Sequence, residues 1–321
     1  MVDTLVGSAV ALAGAITHYF YFNRAEHHLY GMVYLQIFVG AFVTAILVLV
    51  KGGEPFAKAS ERVTSIAGCY MGGLYLSLIT YRAFFSPLTR FPGPFGARIS
   101  NFWFSTQLKN VDAHKQILKL HEKHGDFVRV GSSDLSIVHP KAINVIYGLG
   151  SKCTKADWYD LTYPMVSMQT TRQRAVHDQR RRIWSLAFGD KALRGYEDRI
   201  KRYRDLLISQ IDTFGGQPIN VTKWFNLFSF DVMGDLAFGV SFNMLETSEE
   251  HWAIKLLNSG MEPLGWMFPT WFFVMLVGIP GLANDWRKLI KYCSEKLDER
   301  MGVISHCFPA PPIALSLTLN R

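Results

Sequence analysis

Three long stretches without a charged side chain occupy most of the first 82 residues. Residues 5–22, 29–50 and 63–81 contain no Asp, Glu, Lys or Arg. A helix rises about 1.5 Å per residue, so roughly 20 residues cross a hydrocarbon core of about 30 Å. The sequence therefore predicts a membrane anchor over residues 1–85, formed by three transmembrane helices.

Two of these stretches have an alternative interpretation. The first could be a cleaved signal peptide. However, Asp3 is the only charged side chain before it, and the basic segment that begins a signal peptide is missing. The third is rich in glycine and could instead be a helix inside a folded core. Three membrane spans remain the favoured interpretation.

Basic residues around the third stretch bear on its orientation. Those that follow it favour a cytosolic location for the rest of the chain; they are Arg82, Arg90 and Arg98. The preceding loop argues weakly the other way, with Lys51, Lys58 and Arg62 against Glu54 and Glu61. With a cytosolic main domain, three spans place the N-terminus in the lumen.

Charge and cysteine content narrow the function classes. A net charge of +8 suits an anionic membrane or an acidic partner, and no motif has the spacing of a nucleic-acid binder. Cys69, Cys153, Cys293 and Cys307 show no paired spacing, which fits reduced thiols in the cytosol. The glycosylation sequon at Asn220 would be unusable there.

The chain after residue 85 predicts a mainly α fold with one small β-hairpin. A stiff connector with three prolines covers residues 86–94. Predicted helices cover residues 110–124, 140–148, 174–188, 191–214 and 222–238, and predicted strands cover 127–130 and 135–138. Residues 151–172 are irregular, and the region from Trp252 is poorly defined. Residues 302–321 lack acidic residues and carry three prolines, so we expect a tail foreign to the fold.

One face of the predicted helix 174–188 groups four side chains. At about 100° per residue, His177, Arg181, Trp184 and Phe188 fall within a stripe about 60° wide. A guanidinium fork and an imidazole suit carboxylates, and the aromatics suit an apolar ring system. The alternative is an ordinary amphipathic helix with solvated arginines and packed aromatics.

The order of several short motifs identifies a family resemblance. After the anchor come FPGP at 91–94, HEKHGDFVRVG at 121–131, LSIVHPKAI at 135–143, the His177-x-x-x-Arg181 pair, AF at 187–188 and FDVMGDLAFG at 230–239. This order resembles the N-terminal half of fungal microsomal cytochrome P450 monooxygenases, especially the benzoate-hydroxylase-like and secondary-metabolite branch. The resemblance implies a partial cytochrome P450 domain over residues 86–301.

The resemblance also implies roles for particular residues. His177 and Arg181 would contact the haem propionates, and residues 159–172 would border the substrate pocket. Residues 261–273 would lie in the mobile roof of that pocket, unless they serve core packing or shallow membrane contact. The candidates for contact with substrate are Tyr159, Met165, Met168, Met267 and Phe268.

The implied activity is insertion of one oxygen atom from O₂ into a lipophilic small molecule. Electrons would come from NADPH through a partner cytochrome P450 reductase, with the anchor in the endoplasmic reticulum membrane and the main domain in the cytosol. Arg180 and Arg182 would belong to the face that docks this acidic reductase, unless they are simply solvated.

The sequence departs from the family pattern at the chemical centre. The resemblance implies an acid–alcohol pair on a long central helix, a Glu-x-x-Arg helix and a glycine-rich loop that presents an axial cysteine. No Glu is followed by Arg three residues later, and neither Cys293 nor Cys307 lies in a glycine-rich loop. An axial thiolate favours O–O cleavage in this chemistry. We therefore expect a truncated chain that is inactive by itself, with no catalytic residue and no metal ligand of its own.

Two other function classes remain open at this point. A catalytically dead, membrane-anchored binding or scaffold protein would keep the N-terminal half without its chemistry. A multi-pass lipid-modifying enzyme could use His177 or a nearby histidine as a base. The coding sequence downstream of Met301 would distinguish the first of these from a monooxygenase.

Overall fold

The fold is mainly helical with one two-stranded sheet, as the sequence predicts. A computed structural model describes residues 4–148 and 150–307, with side chains described as far as residue 302. The α-helices in chain order are α1 Thr4–Thr17, α2 Gly31–Lys51, α3 Phe56–Thr80, α4 Phe95–Ile99, α5 Phe102–Gln107, α6 Ala113–His124, α7 Pro140–Tyr147, α8 Arg174–Ser185, α9 Asp190–Asp212, α10 Val221–Met233, α11 Met244–Thr247, α12 Trp252–Met261, α13 Thr270–Gly278 and α14 Asn284–Cys307. The strands are β1 Phe127–Arg129 and β2 Leu135–Ile137.

The chain divides into two compact units. The first comprises Met1–Gln173 and Glu262–Pro280, and the second comprises Arg174–Met261 and Gly281–Arg321. The first unit therefore holds α1–α7, the sheet and α13, and the second holds α8–α12 and α14.

Three helical segments of the first unit are long and apolar enough to cross a membrane. They cover Thr4–Phe22, Gly31–Lys51 and Phe56–Arg90. The first two match the predicted stretches closely. The third extends beyond the predicted 63–81 at both ends, because α3 begins in the polar segment at Phe56 and continues as a wider turn over Tyr81–Phe85.

Glycines bring the backbones of α1 and α3 into direct contact. A Cβ atom on Gly73 would lie only 1.9 Å from the carbonyl oxygen of Ala11, and one on Gly14 only 2.1 Å from that of Tyr70. Small residues permit this close approach between apolar helices, where packing rather than hydrophobic burial drives association in lipid.

The contacts along this pair show that α1 and α3 run parallel. Gly7 lies opposite Cys69 at one end, and at the other end the Nδ1 atom of His18 lies 2.9 Å from the hydroxyl oxygen of Ser77. His18 is almost fully buried, and the serine satisfies its ring. A parallel first and third helix is the arrangement that three consecutive membrane crossings require.

Substitution of Gly73 by Leu is expected to separate α1 from α3. The new side chain would meet backbone atoms, which cannot rotate away, and overpacking typically costs about 1–3 kcal/mol. A Gly7→Cys background provides the measurement, because a Cβ at residue 7 lies 3.4 Å from the Cys69 sulfur and the two thiols should cross-link on oxidation.

Gly72→Leu is the matched control for this experiment. A Cβ on Gly72 meets no atom within 4 Å, so the Gly7→Cys/Cys69 cross-link should form as before. Equal cross-linking in the Gly72→Leu and Gly73→Leu variants, measured on membranes from the same host, would contradict the glycine contact.

The predicted hairpin is confirmed, with antiparallel pairing of β1 and β2. Phe127 pairs with Ile137 and Arg129 pairs with Leu135. The connector packs on the outer side of β1, since the amide of Arg129 donates to the carbonyl of Pro92 at 2.8 Å. A side chain on Gly93 would clash with the Arg129 carbonyl, so glycine permits this close approach.

Arg129 is fully buried and ties β1 to the end of the third apolar helical segment. Its guanidinium donates to the carbonyls of Gly131, Ser132, Arg82 and Arg98 at 3.2, 2.7, 3.2 and 3.4 Å. Burial, and to a lesser extent the nearby Arg98, lower the pKa of Arg129. Backbone carbonyls compensate for the removal of this cation from water.

The predicted helix 110–124 begins later than expected. Asn110 and Val111 have positive φ angles of 50° and 60°, and the Asp112 carboxylate accepts a hydrogen bond from the amide of Lys109 at 2.7 Å. This local turn competes with helix at its start. The predicted end is confirmed, because Gly125 terminates α6 with a φ of 89°.

The core of the second unit lies where α9, α10 and α11 meet. Its buried residues are Tyr203, Leu207, Trp224, Leu227, Met244, Leu245 and Ile254. Asp231 is buried beside this core and accepts hydrogen bonds from the amides of Met244 and Leu245 at 3.0 and 2.8 Å. The carboxylate thus fixes the start of α11 against α10.

The remaining residues of the 230–239 motif also have structural roles. The Asp235 carboxylate accepts two hydrogen bonds from Arg199 on α9, at 2.9 and 2.7 Å, and these bonds raise the pKa of Arg199. Gly234 contacts the ring of Phe242, and Gly239 ends the segment in a left-handed conformation. The motif therefore specifies how α10 turns into the following loop.

The prediction of a poorly defined region from Trp252 was wrong. This region contains α12, α13 and the long α14. α13 is apolar on all sides, so it lacks the periodicity on which the prediction relied.

The predicted foreign tail falls partly outside the described residues. α14 continues past Met301 to Cys307, so the expected end of helical structure after Met301 was wrong. Residues 308–321 lie outside the described part of the chain. The predicted domain limits at residues 85 and 301 stay predictions.

Candidate functional site

The second unit presents the predicted four-residue stripe on α8 and the turn that follows it. The rings of Trp184 and Phe188 stack with centroids 6.3 Å apart and an interplanar angle of 25°. His177 lies at the start of the same face, and its Nδ1 atom is 3.1 Å from the carboxylate of Asp178. This contact can fix the ring orientation while leaving Nε2 free for another partner.

Arg181 lies between the histidine and the stacked rings in sequence. Its side chain is exposed, and within the described part of the chain no carboxylate lies within ion-pair distance of it. Trp184 and Phe188 are 55% and 62% exposed, which is unusual for two stacked aromatic rings. The face thus combines a free cation, an imidazole and exposed apolar surface.

This combination fits a flat apolar molecule that carries carboxylates. Arginine binds carboxylates through two parallel N–H donors, and the imidazole adds a third. The stacked rings would be covered by the apolar body of the same ligand. Metal coordination is a poorer fit, because Arg181 offers only donors.

Three of the predicted substrate-contact residues lie in the irregular loop of the first unit. Tyr159 sits in the short turn Asp157–Asp160 and is half-buried, with Lys155 Nζ 5.1 Å from its ring centre. Met165 is exposed and Met168 half-buried, both in the turns that follow.

The other two predicted residues lie just before α13, also in the first unit. Met267 is exposed, and its carbonyl accepts a hydrogen bond from the Ser105 hydroxyl at 3.0 Å. Phe268 joins an aromatic cluster with Phe102 and Phe272. Because α13 contacts the Asp157–Asp160 turn, the two predicted pocket segments are neighbours.

Two surface grooves in the described structure lie away from the five predicted substrate-contact residues. One, of about 400 Å³, runs along α9 between Leu193 and Arg204. The other, of about 310 Å³, lies between the end of α9 and the start of α10. Neither contains a predicted substrate-contact residue, so the five candidates stay predictions.

A charged network in the first unit was missed by the sequence reasoning. Glu26 and His28, in the loop between α1 and α2, contact Asp160 and Arg172. These partners are separated by 132 to 146 positions along the chain. No periodicity or local motif could have paired them.

Comparison with known proteins identifies the family. The family model described as Cytochrome P450 matches residues 92–306, which is more than half of the chain. The chain belongs to the cytochrome P450 family. The expected partial cytochrome P450 fold and the expected family resemblance are therefore confirmed.

Several curated cytochrome P450 proteins of fungi are similar over nearly the whole chain. Identity is 45% over 295 residues to the cytochrome P450 monooxygenase notG' of Aspergillus versicolor, covering 91% of this chain and 54% of that protein. Identity is 40% over 302 residues to tryprostatin B 6-hydroxylase of Aspergillus fumigatus, covering 92% of this chain and 54% of that protein. Identity is 40% over 319 residues to the cytochrome P450 monooxygenase lcsK of Purpureocillium lilacinum, covering 98% of this chain and 58% of that protein.

The chain spans about half the length of these relatives. No solved structure matches it.

Cytochrome P450 proteins bind haem, and the side chains of the α8 face and the cysteines differ in how well they suit this group. The exposed Arg181, the imidazole of His177 and the Trp184–Phe188 stack fit the carboxylate edge and the flat body of a haem. The described cysteines do not fit the axial position as well. Cys153 lies in an exposed loop and Cys69 in α3, and burial raises the pKa of the Cys293 thiol in the middle of α14.

A raised thiol pKa works against a metal-bound thiolate. The side chain of Cys307 lies outside the described residues. Within the described part of the chain, the site therefore fits the haem carboxylates and lacks an axial ligand.

Proposed function

We propose that this chain supplies the membrane anchor, the haem-carboxylate contacts and part of the substrate pocket of a cytochrome P450 monooxygenase. The reaction would insert one oxygen atom from O₂ into a lipophilic small molecule of fungal secondary metabolism. Electrons would come from NADPH through a cytochrome P450 reductase, for which Arg180 and Arg182 are candidate docking residues.

The α8 face is the observation that carries the proposal. Haem binding gives a physical reason for a cation that has no carboxylate partner among the described residues and lies beside two exposed, stacked rings. Membership of the family supports this assignment of His177 and Arg181. The name of the A. fumigatus relative, a 6-hydroxylase of tryprostatin B, supports oxygen insertion into a lipophilic metabolite.

The proposed location is the endoplasmic reticulum membrane, with the main domain in the cytosol. The loop between α1 and α2 contacts residues 160 and 172, which follow the third apolar helix. This contact requires the loop and the domain to lie on the same side of the membrane. Two crossings by α2 and α3 meet that requirement.

In a chimera of residues 1–306 with the second half of the A. fumigatus relative, Arg181→Ala is expected to lower haem retention. Loss of a charge-assisted bond to a partly buried carboxylate should cost on the order of 1.5–3 kcal/mol. Haem content per protein after purification, read from the pyridine haemochrome, is the measurement.

Arg182→Ala is the matched control for Arg181→Ala. Arg182 is also an exposed arginine on α8, but it points about 100° away from the stripe. It should retain haem like the unmodified chimera, and any defect should appear in electron transfer from the reductase. Equal haem occupancy in the two variants would count against the assignment of Arg181.

A further inference from the structure

The loop that joins α1 and α2, residues 23–30, will be called the anchor loop. It touches the irregular segment 151–172, which will be called the pocket loop because it contains three of the predicted substrate contacts. Both belong to the first compact unit. Charged side chains on both loops contribute to this contact.

Arg172, at the end of the pocket loop, is the centre of this contact. Its Nη1 atom donates to Glu26 Oε2 at 2.6 Å and its Nη2 atom to Glu26 Oε1 at 2.8 Å. This is a two-point guanidinium–carboxylate pair, the geometry that fixes orientation best. Mainly through these bonds, the pKa of Glu26 is lowered and that of Arg172 is raised.

The same guanidinium also holds the pocket loop together. Nη1 donates to Asp160 Oδ2 at 2.8 Å, and Nε donates to the carbonyl of Lys155 at 2.9 Å. Arg172 therefore joins the end of the loop to its middle and start. Residue 160 directly follows Tyr159, so the position of a predicted substrate contact depends on this bond.

His28 provides a second link between the two loops. Its Nε2 atom lies 2.9 Å from Asp160 Oδ2, and the side chains of His28 and Asp160 are only 8% and 17% exposed. The network is therefore shielded from water on the side of Asp160. Screening by solvent should weaken it less than an ordinary surface ion pair.

The anchor loop is itself held to the membrane helices. The Nδ1 atom of His27 lies 2.7 Å from the hydroxyl of Tyr34 in α2, and that hydroxyl lies 3.0 Å from the hydroxyl of Tyr21. The residues that present Glu26 and His28 thus rest on the ends of α1 and α2. They can act as a fixed point for the pocket loop.

A metal ion is a poorer explanation of the cluster. Ligand atoms of Glu26, His28 and Asp160 lie within 4.8 Å of one another, as a cation site would require. However, the guanidinium of Arg172 already bonds to both carboxylates. It supplies the positive charge that an ion would otherwise bring.

We propose that the anchor loop is a positioning element for the substrate pocket and that Arg172 is the positioning residue. The anchor would then do more than tether the protein: it would set the conformation of the loop that borders the pocket. The part of this inference that concerns substrate rests on the proposed function, whereas the contact between the loops does not.

Hydrogen exchange of the full chain in lipid nanodiscs tests the contact. Glu26→Gln and Arg172→Gln should each speed amide exchange of residues 151–172 by roughly tenfold, a change of about 1.4 kcal/mol. The double variant should be no faster than Arg172→Gln alone, because the two residues act through one interaction.

Arg62→Gln is the matched control. Arg62 in α3 pairs at 2.8 Å with Glu54, which lies in the loop between α2 and α3. Among the described residues, neither side chain forms an ion pair with the pocket loop. In the Arg62→Gln variant, amide hydrogen exchange of residues 151–172 should match that of the unmodified chain. Unchanged exchange in Arg172→Gln, or an equal increase in Arg62→Gln, would overturn the proposed contact.

Substrate binding by the chimera described above separates this inference from the proposed function. Arg172→Gln should weaken binding of a lipophilic ligand, read as a shift of the haem absorption band, while haem content stays unchanged. Normal ligand affinity together with fast loop exchange would overturn the positioning role. If the unmodified chimera retains no haem, the proposed function fails, and the exchange experiment still decides whether the contact exists.

Discussion

Residues 87–321, expressed without the anchor, are expected to aggregate and to be degraded rapidly by added protease. Their removal from the anchor exposes α13, because Met275 packs on Gly31 and Gly278 on Met32 of α2. It also leaves Arg172 without Glu26. Each Leu or Phe side chain left in water forgoes about 1.5–3 kcal/mol, whereas the net stability of a domain is about 5–15 kcal/mol.

The fragment already carries exposed apolar side chains that add to this effect. Leu186 and Phe188, in the turn that follows α8, are 79% and 62% exposed. Limited proteolysis and calorimetry of the fragment without haem are the measurements. Residues 1–85 expressed alone serve as the control and should still insert into membranes.

A sharp, cooperative thermal transition of the isolated fragment would contradict this expectation. It would favour an independent binding module, the alternative that the sequence leaves open. The buried cluster around Trp224 and Leu227 would be the core of such a module.

The 321-residue chain, supplied with haem, reduced and exposed to CO, is expected to lack the red-shifted absorption band of a thiolate-ligated haem. That band requires a cysteine thiolate on the iron. Cys153 lies in an exposed loop, and Cys293 lies inside a helix where burial raises its pKa. Neither environment favours a thiolate ligand.

The chimera with the second half of the A. fumigatus relative is the positive control for this spectrum. It should show the band if residues 1–306 fold as proposed. A clear band from the 321-residue chain itself would overturn our interpretation of its cysteines, and a Cys293→Ser variant would then show whether that thiol is responsible.

Local patterns in the sequence predicted those parts of the fold that depend on neighbours in the chain. The apolar stretches, the hairpin around Gly131 and the end of α6 at Gly125 follow from hydropathy and turn chemistry, and all are observed. The stripe on α8 follows from helical spacing alone. The Trp184–Phe188 stack shows that this spacing does place the rings on one face.

Features that depend on distant residues or on unusual composition could not be predicted. Arg172 and Glu26 are far apart in sequence, so their pairing appears only in three dimensions. α13 is apolar on all sides and gives no periodic signal. The burial of Arg129 is similarly invisible, because an arginine in a short strand ordinarily faces solvent.

The carbonyl contacts of Arg129 with residues 82 and 98 depend on chain length rather than on the side chains at those two positions. Any residue at position 82 or 98 would offer the same carbonyl, so a substitution scan of these positions would miss the contact. Insertion of one residue after Arg82 would instead turn the helix end by about 100° and carry that carbonyl away from the guanidinium. Exchanges of anchors between related proteins should therefore preserve the number of residues from 82 to 98, together with Gly93, whose lack of a side chain permits the approach to Arg129.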